Sequence, residues 1–335
     1  MKESSDPVPG GAAVNWVRDI EADQWDRILA SFGGHPLQSA LWGESRRSAE
    51  SMEDRRWAAF SQDTPVWLAR FEVRRLPLHG RVAWLPRGPV HGEHPMAVAA
   101  HRQFLDLLKQ DRFLLCFSDP YLVPNLGDSS AIELGTRPRT LCVDLTPGKD
   151  VVFGNMHKKL RYGVRAAERA GVVLEETRRT EDVRAFHRLC NLVSSTKDFD
   201  LPGSEPLLQE LIARSRVDSS VTAHLFVARY EGQLVSGYLS IRVGERLHNM
   251  WNGTDRAYAR QCPGEAVLWH QVAWAIDSGV RVYDQEGIDE LNNPGCYQFK
   301  KRLGGEEIEL PGLRAYPLGN VGHMALKLGQ WAGKF

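Results

Sequence analysis

The residues whose types and spacing can do chemistry are concentrated near the C-terminal end, in the stretch CYQFKKRLGG at residues 296–305. Two aromatic residues lead into a run of three cations, and these five are Tyr297, Phe299, Lys300, Lys301 and Arg302. A fixed cation can stabilise negative charge that develops during a reaction, and an aromatic ring can stack on a nucleic-acid base. The alternative is a surface loop in which the lysines are incidental.

Three aspartates stand at the ends of predicted strands and are candidates for a general base. They are Asp119, Asp144 and Asp284. Asp284 is the preferred candidate, because its strand, VYDQEG, leads into the segment that holds Lys300. The alternative is a structural carboxylate that accepts hydrogen bonds from loop amides.

A basic helix is predicted over residues 155–172, NMHKKLRYGVRAAERAGV, with Gly171 just past its end. A spacing of four residues aligns a positive stripe along it, made of His157, Arg161, Arg165 and Arg169, and Lys158 and Lys159 flank the first turn. Like charges at this spacing repel each other. An acidic partner in the protein or a phosphate of a ligand is therefore expected to offset them.

The loop QCPGEA, residues 261–266, fits a Q/R-x-x-G-x-G/A pattern that binds the pyrophosphate of acyl-CoA at the N-terminus of a helix. Two of its residues oppose that function. Pro263 has no backbone N–H to donate, and Glu265 puts a negative charge into the first helical turn. The pattern therefore supports an acyl-CoA ligand only weakly.

The elements that must position these residues occur twice, each time as hairpin strands and a strand followed by a helix and a further strand. In the first half the strands are predicted at residues 65–77, 80–90 and 112–120, with a helix at 95–109. In the second half the strands are predicted at 223–232, 233–243, 246–254 and 280–287, with a helix at 264–277. Strands joined by a crossover helix predict a mixed sheet with helices on its faces, here duplicated.

Composition excludes several classes of protein. The 335 residues carry 42 basic and 42 acidic side chains, which argues against a protein that coats nucleic acid with a broad basic face. The five cysteines form no CxxC pair, so no metal site is expected, and their odd number suggests a reducing cytosol. No apolar run reaches the ~20 residues that cross a bilayer.

A closing helix is predicted near the C-terminus, and the face expected to pack on the body carries Val321, Met324, Ala325, Leu328 and Trp331; a helix on a membrane surface is the alternative.

Five motifs, in order and at similar spacing, carry a resemblance to a known family. They are HPLQSALWGESRR at 35–47, WLPRGPV at 84–90, the segment from Arg139 to Val172, VYDQEGI at 282–288 and YQFKKRLGG at 297–305. Together they resemble the Fem family of aminoacyl-tRNA-dependent peptidyltransferases, within the Gcn5-like N-acyltransferase superfamily. The resemblance extends from about Pro36 to Gly305.

The resemblance implies an α/β fold of two tandem Gcn5-like acyltransferase domains, with mixed sheets flanked by helices and a cleft between the domains. Residues 1–148 plus 315–335 would form the first domain, on the acceptor side. Residues 149–314 would form the second, with the transfer site and the aminoacyl-tRNA end. No long heptad-rich segment is present, so the chain resembles members without a coiled-coil arm.

The resemblance also assigns roles. Lys300, Phe299 and Asp284 would form the catalytic site, with Lys300 on the oxyanion or on the terminal ribose and phosphate. The tRNA end would contact Lys301, Arg302, Tyr297, Arg161, Arg165 and Lys158. The acceptor would contact Arg46, Trp42, Trp251, Asn252, Lys197, Asp198 and Arg214.

Two departures from the family pattern bear on the acceptor. Glu210 stands near the place of a phosphate-binding arginine, one turn before Arg214, and Trp251 replaces a common tyrosine. The acceptor is therefore predicted to be an amine of a peptide or nucleoside natural-product intermediate, or of a peptidoglycan precursor. The alternatives are an acyl-CoA-dependent N-acyltransferase and a non-catalytic peptide-binding module.

The predicted partners are the acceptor end of an aminoacyl-tRNA, as co-substrate, and a small peptide-like or nucleotide-linked amine. No cofactor, metal, DNA or stable membrane insertion is predicted. A cytoplasmic monomer is expected.

Overall fold

The structure is a computed structural model that describes residues 14–76, 80–123, 126, 130–195 and 203–331, without the side chains of 193–195. The strands are β1 (Asn15–Arg18), β2 (Asp54–Ser61), β3 (Thr64–Arg75), β4 (Arg81–Arg87), β5 (Phe113–Pro120), β6 (Ile132–Leu134), β7 (Arg139–Asp144), β8 (Val173–Thr177), β9 (Val221–Tyr230), β10 (Gln233–Val243), β11 (Arg246–Thr254), β12 (Val282–Ile288), β13 (Glu306–Glu309) and β14 (Leu313–Pro317). The helices are α1 (Ala22–Ser31), α2 (Ala40–Glu50), α3 (Ala97–Gln110), α4 (Lys149–Asn155), α5 (Lys158–Arg169), α6 (Thr180–Ser195), α7 (Glu205–Arg214), α8 (Pro263–Asp277), α9 (Pro294–Lys301) and α10 (Asn320–Trp331), with 3-10 helices at Pro36–Gln38 and Arg256–Gln261.

Two seven-stranded mixed sheets repeat one topology. The first has the order β1-β2-β3-β4-β5-β14-β6, and the second has the matching order β8-β9-β10-β11-β12-β7-β13. Each sheet contains one parallel pair, β4 with β5 and β11 with β12, and the remaining pairs are antiparallel. Helices α3 and α8 are the crossovers that a parallel pair requires. The predicted duplication and the predicted fold class are confirmed.

The two sheets exchange strands. β14, near the C-terminal end, lies between β5 and β6 in the first sheet, whereas β7 lies between β12 and β13 in the second. Sheet membership therefore changes before Arg139 and again between Glu309 and Leu313. The predicted domain boundaries at residues 148 and 315 lie after β7 and within β14.

The parallel pairs differ in a way that positions the site. β4 and β5 stay paired from Arg81 to Arg87. β11 and β12 pair only from Arg246 to His248, and the rest of β11 has no partner on that side. The second sheet therefore opens between these two strands, and the first sheet does not.

The two halves share one apolar core. It joins α1 and α2 of the first half to α6, α7 and strands β9 to β11 of the second. At its centre the rings of Trp42 and Trp251 stack with their centroids 5.8 Å apart and their planes within 10° of parallel. Both side chains are buried. The halves are thus held by packing as well as by the exchanged strands.

The HPLQS motif connects the first half internally. The fully buried Gln38 donates from Nε2 to the carbonyls of Arg70 and Pro86, and its Oε1 accepts from the Arg70 amide. The Ser39 hydroxyl accepts from the Trp42 amide and so caps the N-terminus of α2. The motif thus has a structural function here.

The C-terminal helix forms where it is predicted, but most of its predicted packed face is exposed. Val321, Met324, Leu328 and Trp331 are more than half exposed, Ala325 packs against a core cluster, and the buried residues of α10 are Gly322 and Leu326. A Cβ atom on Gly322 would lie 2.1 Å from the Leu114 carbonyl oxygen. The lack of a side chain there lets the opposite face of the helix approach the sheet.

Two absences hold for the part of the chain that the structure describes. Its longest helix is the 16-residue α6, so no coiled-coil arm is present among these residues. None of the helices in this part is long and apolar enough to span a membrane.

Candidate functional site

A cavity of about 940 Å³ lies at the opening between β11 and β12. It is bounded by the start of α8, the 3-10 helix before it and the start of α9. Its lining includes Tyr238, Asn252, Arg256, Glu265, Cys296 and Phe299. A concave space of this size with a few polar groups is typical of a site for a small molecule or the end of a larger one.

The N-terminus of α8 faces this cavity but is poorly suited to a pyrophosphate. Cys262 precedes the helix with a φ of 53°, and Pro263 occupies its first position without an N–H. The Ala266 amide already donates to the Cys262 carbonyl. Gly264 and Glu265 line the cavity, so a carboxylate stands where a pyrophosphate would be held. The missing N–H of Pro263 and the negative charge of Glu265 therefore both disfavour an acyl-CoA ligand in the folded site.

Helix α9 brings part of the predicted catalytic stretch to the cavity. Phe299 and Cys296 line it. Lys300 does not; its Nζ donates to the carbonyls of Gly287, at 2.8 Å, and Glu286, at 3.4 Å. The side chain is buried, and burial lowers the pKa of its ammonium group. The ammonium is thus inside the protein beside the cavity wall, and its catalytic role stays a prediction.

The neighbours of Lys300 on α9 are occupied by contacts within the protein. The Tyr297 hydroxyl donates to Glu307 Oε1 at 2.7 Å, and Lys301 Nζ donates to the same atom at 2.9 Å. The Arg302 guanidinium lies 6.0 Å from the centroid of the Phe299 ring. Of the three predicted tRNA contacts in this stretch, only Arg302 lies against a residue that lines the cavity.

The basic helix α5 packs beside the cavity. Its buried residues are Leu160, Gly163 and Ala167, and a Cβ on Gly163 would lie 2.7 Å from Glu265 Cγ, so α5 approaches the start of α8 closely. The His157 amide donates to the Arg302 carbonyl, at 2.8 Å, which ties the start of α5 to the end of α9.

Two of the predicted tRNA contacts on α5 also make contacts within the protein. Arg161 donates to the carbonyls of Gly154 and Met156. Arg165 lies 5.6 Å from the centroid of the Phe153 ring.

A set of cations on the elements beside the cavity has no carboxylate within 4.0 Å among the described residues. They are Lys158, Lys159, Arg165, Arg169, Arg256, Arg260 and Arg302. Four lie on α5, two lie on the 3-10 helix, and Arg302 directly follows α9; of the seven, Arg256 lines the cavity. In a chain of zero formal charge this is a local positive face, which suits a polyanion held by one end.

Asp284, the preferred candidate for a general base, is buried and accepts hydrogen bonds from several groups of the protein. Asp284 is fully buried, and its carboxylate accepts hydrogen bonds from the Tyr121 and Thr140 hydroxyls and, at 2.7 Å, from the Glu286 amide. Burial and the Asp284 charge raise the pKa of Tyr121. Because Tyr121 lies in the first half and Asp284 in the second, the contact joins the halves. It favours the structural alternative, and general-base catalysis by Asp284 stays a prediction.

The carboxylates of the other two candidate bases also interact with neighbouring groups of the protein. Asp119 is paired with Arg87 at 3.3 Å. Asp144 accepts from the amide and the hydroxyl of Thr146.

Beside Asp284 lies a buried cluster that the sequence did not predict. Glu286 Oε1 is 3.0 Å from His35 Nε2 and 2.7 Å from His248 Nδ1. Burial lowers the pKa of His35 to about 4. Burial alone would raise the pKa of Glu286, but hydrogen bonds from the two imidazoles hold it well below its usual value.

The geometry of this cluster bears on metal binding. The three candidate ligand atoms lie within 4.8 Å of one another. The Leu37 amide donates to His35 Nδ1, however, which leaves the proton on Nε2 and directs it to Glu286. Hydrogen bonding within the protein therefore accounts for the arrangement.

We expect the free energy of unfolding to fall on acidification because of His35. Its folded pKa of about 4 lies below its ordinary value of 6.5, so between these pH values the unfolded chain binds the proton more tightly. Acidification through this window should cost up to about 3 kcal/mol. Denaturant unfolding of the wild type and of His35→Gln at pH 7 and pH 4.5 measures it, and the loss should be smaller in the variant.

The comparison between variants is needed because another group acts in the opposite sense. Burial raises the pKa of Asp26 to about 7, so its contribution favours the folded state at acidic pH. The control is His323→Gln, which changes an exposed histidine on α10. Equal pH dependence in the wild type and His35→Gln would contradict the assignment.

The predicted acceptor residues do not form one site. Asn252 lines the cavity, while Trp42 and Trp251 are buried against each other. Arg46 pairs with Glu50 at 2.9 Å, and Arg214 pairs with Glu210 at 2.6 Å, so both cations are neutralised within the protein. Lys197 and Asp198 lie outside the described residues. The acceptor assignments stay predictions.

Sequence reasoning missed several cavity residues. Tyr238 lies within a strand and Arg256 follows no motif that was singled out, while Cys296 opens the CYQFKKRLGG stretch but was given no role. Glu265 was noticed only as an obstacle to anion binding. Its position could have revealed it, because Glu265 is the third residue of α8, the helix that follows β11, where the second sheet opens.

The fold defines a class: two tandem GNAT-type domains. Residues 154–301 match the family model described as an acetyltransferase (GNAT) domain. No curated protein matches the chain significantly. Among solved structures, FemX is 14% identical over 94% of this chain and 99% of that chain, with a TM-score of 0.76.

Two further solved structures share the fold. A tandem GNAT protein from the clavulanic acid biosynthesis pathway is 14% identical over 92% of this chain and 99% of that chain, with a TM-score of 0.54. L-PGS from Bacillus licheniformis is 14% identical over 92% of this chain and 95% of that chain, with a TM-score of 0.56. The similarity confirms the predicted tandem fold.

Proposed function

We propose that this protein is an acyltransferase that moves an aminoacyl group from an aminoacyl-tRNA to an amine and so forms an amide bond. The observation that carries the proposal is the cavity between β11 and β12. It opens at the start of α8, where a pyrophosphate is disfavoured. Arg256 in its lining, and cations on the adjoining elements, have no acidic partner within 4.0 Å among the described residues. The similarity to FemX and to the GNAT family model supports acyl transfer as the reaction class.

The donor end would enter the opening, with the terminal adenosine against Phe299. Stacking of a base on an aromatic ring contributes about 1–3 kcal/mol. The phosphates of the tRNA end would then lie toward α5 and Arg302, where the positive face continues. An RNA gripped only by its end needs no basic surface over the whole protein, which agrees with the neutral total charge.

The reaction balances without a further reactant. The neutral amine of the acceptor attacks the ester carbonyl, a C–N bond forms and the C–O bond to the tRNA ribose breaks. The proton lost by the amine goes to the departing ribose oxygen, directly or through water. The chain supplies positioning and stabilisation of the oxyanion, for which Lys300 is the proposed donor. A cytoplasmic location remains part of the proposal.

The proposed acceptor is an amine of a peptide or nucleoside natural-product intermediate, or of a peptidoglycan precursor. The internal pairing of Arg46 and Arg214 removes two cations that would bind a nucleotide-linked peptide by its phosphates. This observation favours the natural-product acceptor.

A second candidate is an acyl-CoA-dependent N-acyltransferase. It is favoured by the position of the cavity, since a splayed strand pair beside a helix N-terminus is the place where a pantetheine arm and a pyrophosphate would lie.

The two candidates are separated by the donor. The purified protein is incubated with total aminoacyl-tRNA and a panel of amine acceptors, or with acetyl-CoA and the same panel, and products are identified by mass spectrometry. We expect amide products only with aminoacyl-tRNA, and none after RNase treatment of the donor. Release of free CoA together with acetylated product, insensitive to RNase, would contradict the proposal and establish the second candidate.

A further inference from the structure

Two side chains of opposite charge line the cavity without forming an ion pair with other described residues. Glu265 and Arg256 both line it, and neither makes an ion pair within 4.0 Å among the described residues. A carboxylate and a guanidinium that share a cavity without meeting match a ligand with one positive and one negative group. Acetyl-CoA carries negative phosphates but no positive group on its acyl part, whereas an aminoacyl ester of a nucleotide carries both a phosphate and an α-ammonium.

A tyrosine hydroxyl at the cavity points to the same ligand. Tyr238 lines the cavity from β10 and is only 3% exposed, and no group of the described residues hydrogen-bonds its hydroxyl. Burial, together with the nearby Cys296 and Glu265, raises the pKa of this hydroxyl. The hydroxyl is therefore available to a ligand that enters the cavity.

The position of Glu265 is fixed by the fold. Its side chain is held against Gly163, where any side chain on α5 would collide with Glu265 Cβ and Cγ. A carboxylate that is confined in this way is preorganised, so little entropy is lost when it binds a ligand. The close packing of α5 on α8 thus aims the carboxylate at the cavity.

Resting on the proposed function, we propose that Glu265 and Tyr238 form a subsite for the α-ammonium of the aminoacyl group, while Arg256 binds a phosphate of the terminal nucleotide. The carboxylate and the hydroxyl oxygen accept hydrogen bonds from the ammonium. The subsite then selects an aminoacyl donor over a neutral acyl donor. The acid in the first turn of α8, which disfavours a pyrophosphate, is the group that recognises the substrate.

The test uses stable donor analogues that differ only in the ammonium group. The probes are 3′-alanylamino-3′-deoxyadenosine 5′-phosphate and its 3′-propionylamino counterpart, together with a phenylalanyl and 3-phenylpropionyl pair. Binding to the purified full chain is measured by isothermal titration. We expect the amine-bearing member of at least one pair to bind at least about 10-fold more tightly, as for a charge-assisted hydrogen bond.

Variants assign this preference to residues. Glu265→Gln should bind both members of a pair like the wild type binds the neutral member, and Tyr238→Phe should reduce the preference without changing a charge. Arg256→Ala should weaken both members equally. The control Glu245→Gln, at an exposed carboxylate in the turn between β10 and β11, should keep the full preference. Thermal unfolding verifies that each variant is folded.

Other outcomes overturn the inference. Equal binding of the two members of each pair by the wild type, including no binding of any probe, removes the ammonium subsite. If RNase-sensitive amide formation is still observed, the proposed function survives without it. If the probes fail and CoA supports turnover, the proposed function fails as well.

Discussion

Replacement of Lys300 by Met is expected to lower kcat by about 100-fold or more while the protein stays folded. The Nζ atom donates to the Gly287 and Glu286 carbonyls, which leaves one N–H of the ammonium for the oxyanion under the proposed function. Loss of one preorganised oxyanion donor typically costs about 3 kcal/mol in the transition state. Turnover of aminoacyl-tRNA by the variant and the wild type measures the effect.

A surface lysine outside the predicted site provides a matched control. Lys149→Met removes the same charge where Nζ is paired with Asp277 at 2.8 Å, and it should change kcat less than about threefold. Thermal unfolding separates catalysis from stability, because Lys300 also connects α9 to β12. Unchanged turnover in folded Lys300→Met would remove the catalytic role and leave Lys300 as a structural link.

Replacement of Trp251 by Ala should lower the free energy of unfolding by about 3–5 kcal/mol, the usual range for loss of a buried tryptophan. The ring is 4% exposed and is stacked on Trp42 across the contact between the two halves. Its loss leaves a cavity in the shared core and removes a stacking contact. Chemical denaturation of the purified variant measures the change.

A tryptophan at the surface serves as the comparison. Trp331 is 87% exposed, so Trp331→Ala should alter stability by less than about 0.5 kcal/mol. A double substitution with Trp42→Ala tests the stacking, since the effects of two contacting residues should not add. A loss below about 1 kcal/mol in Trp251→Ala would show that this residue is available for the predicted acceptor contact instead.

The fold was predictable because its signals are local. Apolar runs bounded by turn residues predicted strands such as β9 and β10, and Glu231-Gly232 is turn sequence between them, where both residues have positive φ. The order of elements then implied two mixed sheets. The packed face of α10 was not predictable in this way, because it depends on how close Gly322 comes to Leu114.

The site was predictable only in part, because its groups meet through tertiary contacts. Phe299 and Asn252, two of the predicted site residues, line the cavity, and their roles stay predictions. The His35–Glu286 contact joins residues that are 251 positions apart, so no spacing rule reveals it. The partner of Asp284, Tyr121, likewise comes from the other half, and this contact distinguishes a structural carboxylate from an exposed base.

The exchange of β7 and β14 between the sheets has a consequence for how the chain can be divided. A fragment that stops before Leu313 would lack the strand that joins β6 to β5, and a fragment that starts after Asp144 would lack the strand that joins β13 to β12. Neither fragment would keep a continuous sheet. Such interlocking makes the protein a single cooperative unit, and proteolytic nicking between the halves should not release two independently stable pieces.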